Sequence, residues 1–311
     1  MSAGPLHVVT ARFNPIRWNT PHRHFTDWVS HILDSGAKLT VVEVQYGKAA
    51  FKCVLPYVNH VGLRADSWAW SKECAINEGI KRLPDAECIA WGDADIWHRK
   101  AGWAQEAVEY LQHYRVIQTW SNALDLGPND ELIGTHKSFC GRYQSGAPLV
   151  AVGPHFWTFD GGYETYPHSG YFWACRREFL DWTGGLFELA GMGSADHHMA
   201  LSLAGLVERS YPAGTSEAYV SHLKRWQRRA QAYVKGRIAA LPGIVEHRFH
   251  GSKQRRGYLD RWSLFVRHGF DPDTDLKRNS WGVIEWAGNK PELEREWDQY
   301  LRSRREDDNS I

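Results

Sequence analysis

The chain predicts an α/β fold with a parallel sheet. Its opening reads strand, helix, strand: Leu6–Thr10, a helix ending near Leu33, then the β-branched run Lys38–Val44. Helix and strand keep alternating to residue 120. Within that alternation, the apolar strand Glu87–Trp91 stops abruptly at Gly92-Asp93-Ala94-Asp95. At 311 residues the chain is long enough for one large core or two modest ones.

The elements follow in order. Leu6–Thr10 is a buried strand that runs into the turn Ala11–Pro15. Thr20-Pro21 supplies an N-cap and first helical position, and Asp34-Ser35-Gly36 ends that helix. No glycine-rich phosphate loop follows the first strand, which excludes a Walker loop and a dinucleotide fingerprint. Arg12 and Asn14 occupy that crevice instead, where α/β folds bind ligands at strand carboxyl ends. A shorter strand lies within Val54–Leu63, a helix over Ser67–Leu83 carries Lys72 and Asn77, and the strand Glu87–Trp91 comes next. A helix over Ala101–His113 and a strand over Arg115–Trp120 close the first half. From Ser121 to about Thr165 the pattern weakens into loops and short strands that would roof a site. Gly170–Leu180 is a short strand entering a helix, and the loop Gly191–Ser194 opens another helix at Ala195. The tail 271–281 reads as irregular, and a charged helix spans Pro291–Arg305.

Net charge is +1, so the molecule as a whole has no electrostatic bias. Residues 222–261 do: eleven Lys and Arg stand against two acids, with Trp226, Tyr233, Phe249 and Tyr258 interleaved and Trp262 next to the end. Basic plus aromatic suits an anionic, stackable partner such as DNA, although a solvated helix face looks the same. Five cysteines, at 53, 74, 88, 140 and 175, lack paired spacing and read as reduced thiols. No apolar run approaches the ~18 residues of a membrane span. The expectation is a cytoplasmic protein without a membrane partner.

Asp93 and Asp95, placed i and i+2 at the end of a strand, would share a face. Two acids that close repel unless a cation sits with them, so a divalent ion is the natural reading beside an ordinary Asp-rich turn. Asp196, near a helix start, reads either as a catalytic carboxylate or as a helix-dipole acid.

In order and rough spacing, the strand–turn with Arg12 and Asn14, the Lys72/Asn77 helix, the D-x-D, Gly191–Asp196 and His250-Gly251-Ser252-Lys253 resemble a GT-A-fold, nucleotide-sugar-dependent glycosyltransferase of the inverting galactosyltransferase type. The family's Arg and Asn, five residues apart before the D-x-D strand, correspond to Lys72 and Asn77. Its Trp-Gly-Gly-Glu-Asp stretch corresponds to Gly191–Asp196, without the Glu. The chain is also similar to a group of glycosyltransferase-like proteins common in bacteriophage genomes, which would put it in the host cytoplasm. The resemblance implies a Rossmann-like mixed sheet flanked by helices, with a helical, basic C-terminal part. Residues 1–120 would form the donor half, 121–265 the acceptor and catalytic half of the same domain, and 266–311 a tail and helix.

The resemblance also implies roles. Asp95 and His250 would hold Mn²⁺ or Mg²⁺, with Asp93 on the ribose or, through water, the metal; a His ligand favours Mn²⁺. Lys253 would meet the phosphates of a UDP-sugar, and Arg12, Asn14, Lys72 and Asn77 would hold the donor. Asp196 would be the base, with His197 or His198 as fallback base or acceptor contact. The leading acceptor is a hydroxymethylated pyrimidine in phage DNA, and a saccharide or protein is the alternative. A metal-dependent hydrolase or nuclease built on Asp93, Asp95, Asp196, His197, His198, His247 and His250 stays open, with His247 and His250 on one helix face. So does a non-catalytic binding protein.

Overall fold

The structure is a computed structural model describing residues 4–20, 24–150, 167–251 and 258–308, with the side chains of 258–260 left undescribed. The amino-terminal half runs β1 (His7–Phe13), α1 (Phe25–Asp34), β2 (Lys38–Tyr46), β3 (Asn59–Ala65), α2 (Lys72–Lys81), β4 (Cys88–Gly92), β5 (Ile96–His98), α3 (Trp103–Tyr110) and β6 (Val116–Gln118). It continues with β7 (Asn122–Leu126), β8 (Leu132–Ser138), α4 (Phe139–Gln144), β9 (Pro167–His168), β10 (Phe172–Arg176), α5 (Arg177–Thr183), α6 (Ala195–Leu203) and α7 (Glu217–Val234). Then come β11 (Ile238–Ala240), β12 (Ile244–His247), α8 (Tyr258–Arg267), α9 (Pro272–Asp275), the hairpin β13 (Leu276–Arg278) and β14 (Ile284–Trp286), and α10 (Pro291–Ser303).

The expected mixed sheet flanked by helices is present. Seven strands lie in the order β11-β6-β10-β4-β1-β2-β3. Neighbours from β3 to β4 are parallel, and β10 runs antiparallel between β4 and β6. Strand alternation sends neighbouring side chains to opposite faces. Val9, Val42 and Ile89 enter one core with Ile76 and Ile80 of α2; Val8, Val41 and Ala90 enter the other with Trp28, Val29 and Ile32 of α1. In α1 the buried Phe25, Trp28, Val29 and Ile32 fall at i, i+3, i+4 and i+7, a stripe that faces the sheet. That helix is described only from Phe25, and Pro21 lies outside the described residues.

A second sheet, β5-β12-β7-β8-β9, takes its strands β5, β7 and β12 directly from the ends of β4, β6 and β11 of the first. The chain passes between the sheets directly after β4. Gly92 sits opposite Phe172 in the register, and a Cβ there would lie 2.2 Å from the Phe172 ring, so glycine is required. The next four residues turn, with Ile96 N donating to Asp93 O at 3.3 Å, and β5 begins.

In the tail, Asp307 accepts from the backbone N–H groups of Asn19 and Thr20, each at 2.7 Å, and the 304–306 backbone packs on Gly251. The segment read as irregular beyond 271 forms α9 and the hairpin. No helix among the described residues is long and apolar enough to cross a membrane. All five cysteines are buried and unbridged.

Candidate metal and donor site

The D-x-D carboxylates do not share a face. Because residues 93–96 form a turn rather than more strand, the two side chains part. Asp93 forms an ion pair with Lys72 at the first turn of α2. Asp95 turns toward the second sheet, where its Oδ2 lies 2.8 Å from His250 Nε2 and 3.9 Å from His247 Nε2. The two imidazole Nε2 atoms are 3.2 Å apart, and the three potential donor atoms all lie within 4.8 Å of one another. Donors about 2.0–2.2 Å from a shared ion sit about 3 Å apart at right angles. The residues present therefore fit a divalent cation. One anionic oxygen and two imidazoles suit Mn²⁺ better than Mg²⁺.

His247 and His250 are not on a helix. His247 ends β12, and His250 lies in the loop beyond it, held near because Arg248 N donates to Asp95 O at 2.9 Å. His247 Nδ1 faces the buried Asp125 Oδ1 at 3.0 Å, which leaves Nε2 toward the cluster.

The Lys72 side is crowded with acids. Burial alone would lower the Lys72 ammonium, but Asp93, then Glu73 and Asp196, hold it above the lysine range. Burial raises Asp93, Lys72 draws it back, and Asp95 and Asp196 repel it, so the pair satisfies the lysine more than the carboxylate. Burial also pushes Glu73 up to about 7, with Lys72 opposing and Asp196 adding. Arg12 lies on the Asp95 side, 4.5 Å above the Phe25 ring; burial lowers its guanidinium, and Cys53, Asp95 and Glu43 counter.

Asp196 is the one partly exposed residue in the otherwise buried stretch 191–200, so its carboxylate can reach a ligand. The histidines after it serve the core. His198 is fully buried, with Nδ1 on Ser210 Oγ at 2.8 Å and Nε2 on Tyr219 OH at 3.0 Å. Burial brings His197 down to about 4, against the pull of Asp196 and with the push of Arg261. Neither histidine stands as a base at the surface.

Two expected donor contacts are spent elsewhere. Asn14 closes its own loop, donating to Trp18 O at 2.6 Å and accepting from Trp18 N at 2.9 Å. Asn77 brackets the 186–188 loop, accepting from Leu186 N and donating to Leu186 O and Glu188. Five residues along a helix turn a side chain about 140° from the first, so Lys72 and Asn77 cannot face one ligand. Lys253 lies outside the described residues.

The basic strip divides. Arg225, Arg228, Arg229, Lys235 and Arg237 are exposed on or just after α7. That helix ends where Arg115 N meets Arg237 O, before β6 and β11 begin, at the sheet edge opposite Asp93. Trp226 and Trp262 are core residues. Of the seven residues in the hydrolase reading, only Asp95, His247 and His250 form a metal-ligating group among the described residues. Sequence reasoning missed Glu73 and Asp125 altogether. Glu73, next to Lys72, carried a local signal; Asp125, in a weakly patterned stretch, carried none.

No protein-family model matches the chain, and no curated protein matches it. Among solved structures, the chain is similar to the catalytic domain of Drosophila β1,4-galactosyltransferase 7 in complex with xylobiose, with 10% identity, 93% of this chain and 98% of that chain covered, and a TM-score of 0.40. It is also similar to UDP-glucose pyrophosphorylase complexed with UDP-glucose, with 8% identity, coverage of 79% and 90%, and a TM-score of 0.32. Overlaps this loose leave the chemistry to be read from the site itself.

Proposed function

We propose that the chain is a metal-dependent glycosyltransferase that moves a sugar from a nucleotide sugar, a UDP-sugar first, to an acceptor hydroxyl with inversion. The observation that carries this is the convergence of Asp95, His247 and His250 at the sheet's carboxyl edge, with cationic Lys72 and Arg12 beside them. Leaving of a nucleoside diphosphate builds negative charge, and a divalent cation bound there would neutralise it. Asp95 supplies the anionic ligand. Lys72, kept protonated by its acidic neighbours, and Arg12 supply fixed positive charge for phosphate oxygens. Asp93 orients Lys72 and is free to exchange that contact for a ribose hydroxyl. Asp196 takes the acceptor proton as the hydroxyl attacks.

The acceptor is an alcohol. Hydroxymethylated pyrimidine in DNA draws its support from the basic strip and the phage-type resemblance, and saccharides belong beside it in any screen. A hydrolase keeps one specific support: two imidazoles and a carboxylate also suit Zn²⁺.

A thermal-shift panel tests the proposal. UDP-sugars with Mn²⁺, at ~100 times their dissociation constant, should add about 2.7 kcal/mol of stability, and EDTA should remove it. No shift with any nucleotide sugar, together with Zn²⁺-dependent cleavage of phosphate esters, would replace the transferase by the hydrolase.

A further inference from the structure

We propose that Asp125 is the positioning residue of this metal centre: it fixes the tautomer and ring orientation of His247, so that Nε2 carries its lone pair toward Asp95 and His250. The inference rests on the metal reading above.

Asp125 lies on β7, in register with His247 on β12 and with Gly134 on β8. It is 2% exposed. A carboxylate that deep needs donors to replace water. Its Oδ1 accepts from Tyr171 OH at 2.7 Å and faces His247 Nδ1 at 3.0 Å, and its Oδ2 pairs with His136 Nε2. With Asp125 ionised, its oxygens only accept, and the facing Nδ1 then holds the His247 proton. A neutral imidazole has one proton, and Nε2 is then bare. Tyr171 restrains the ring plane as well: it stacks on His247 with centroids 5.1 Å apart and on His168 at 4.0 Å. The sheet pairing of β7 with β12 thus does the work that a carboxylate behind a ligating histidine does at metal sites generally, setting the tautomer and raising ligand basicity.

The test has two readouts that do not depend on turnover. Long-range ¹H–¹⁵N correlation spectra of the metal-free wild type should show His247 protonated at Nδ1. Mn²⁺ titration followed by electron paramagnetic resonance should show Asp125→Asn binding about 10–100-fold more weakly than wild type. In that variant the neutral amide replaces the carboxylate behind His247 and withdraws the charge that raises its basicity as a ligand. An Nε2-protonated His247 in the wild type overturns the inference, as does Asp125→Asn binding Mn²⁺ as tightly as wild type; the second result leaves the metal reading intact. A wild type that binds no Mn²⁺ overturns the metal reading and this inference together, and no variant is needed to see it. If Asp125→Asn fails to fold, the wild-type tautomer decides.

Discussion

Asp95→Ala is expected to erase the Mn²⁺-dependent rise in melting temperature and to lower sugar transfer by about 10³-fold or more, with the fold kept. Asp95 is the one carboxylate of the cluster, and its removal leaves two imidazoles that bind a hard cation poorly by themselves. Metal stabilisation of a developing charge is worth several kcal/mol, and each 1.36 kcal/mol is tenfold in rate. The backbone bond from Arg248 N to Asp95 O survives the substitution, and the side chain is 29% exposed, so little packing is lost. For a chain of this size about 2.7 kcal/mol corresponds to roughly 5 °C, well within calorimetric reach. A variant that still gained stability from Mn²⁺ would show that Asp95 is not a ligand.

Glu73→Gln is expected to stabilise the protein at pH 8 and to do so far less at pH 5. Burial, with Asp196 adding, raises Glu73 from 4.5 to about 7 in the folded protein. A carboxylate raised in this way binds its proton more readily when folded than when unfolded. Above about pH 7 the folded state bears the full cost of the buried charge. As pH falls from about 7 toward 4.5, the folded state takes up the proton first and stability returns. At 1.36 kcal/mol per pH unit, the gap amounts to about 3 kcal/mol at most. Glutamine keeps the shape without the charge, so urea midpoints of the two proteins should diverge with rising pH. A constant difference between pH 5 and pH 8 would mean that packing, not charge, separates them. The cost of Glu73 at neutral pH fits a position kept for function, where stability is commonly given up.

Much of the sheet was legible because its pattern is local. The β-branched run of β2 is buried at nearly every position, and the alternation through Val8 and Val9 assigns each residue to a core. Asp95 and His250, named from the sequence as candidate ligands, do lie side by side in the structure. The partition of the D-x-D was not, because a turn and a strand continuation look alike after a glycine. Nor was the second sheet: β5, β9 and β12 are two to four residues long, and β12 pairs with partners more than a hundred residues earlier. Such pairing leaves no periodic trace. The Lys72/Asn77 spacing misled because a shared interval on a helix is not a shared direction.

Asp95 leaves the larger sheet and His247 closes a strand of the smaller one, so whatever grips both side chains welds a seam. An ion held by both would couple its own release to the opening of the smaller sheet.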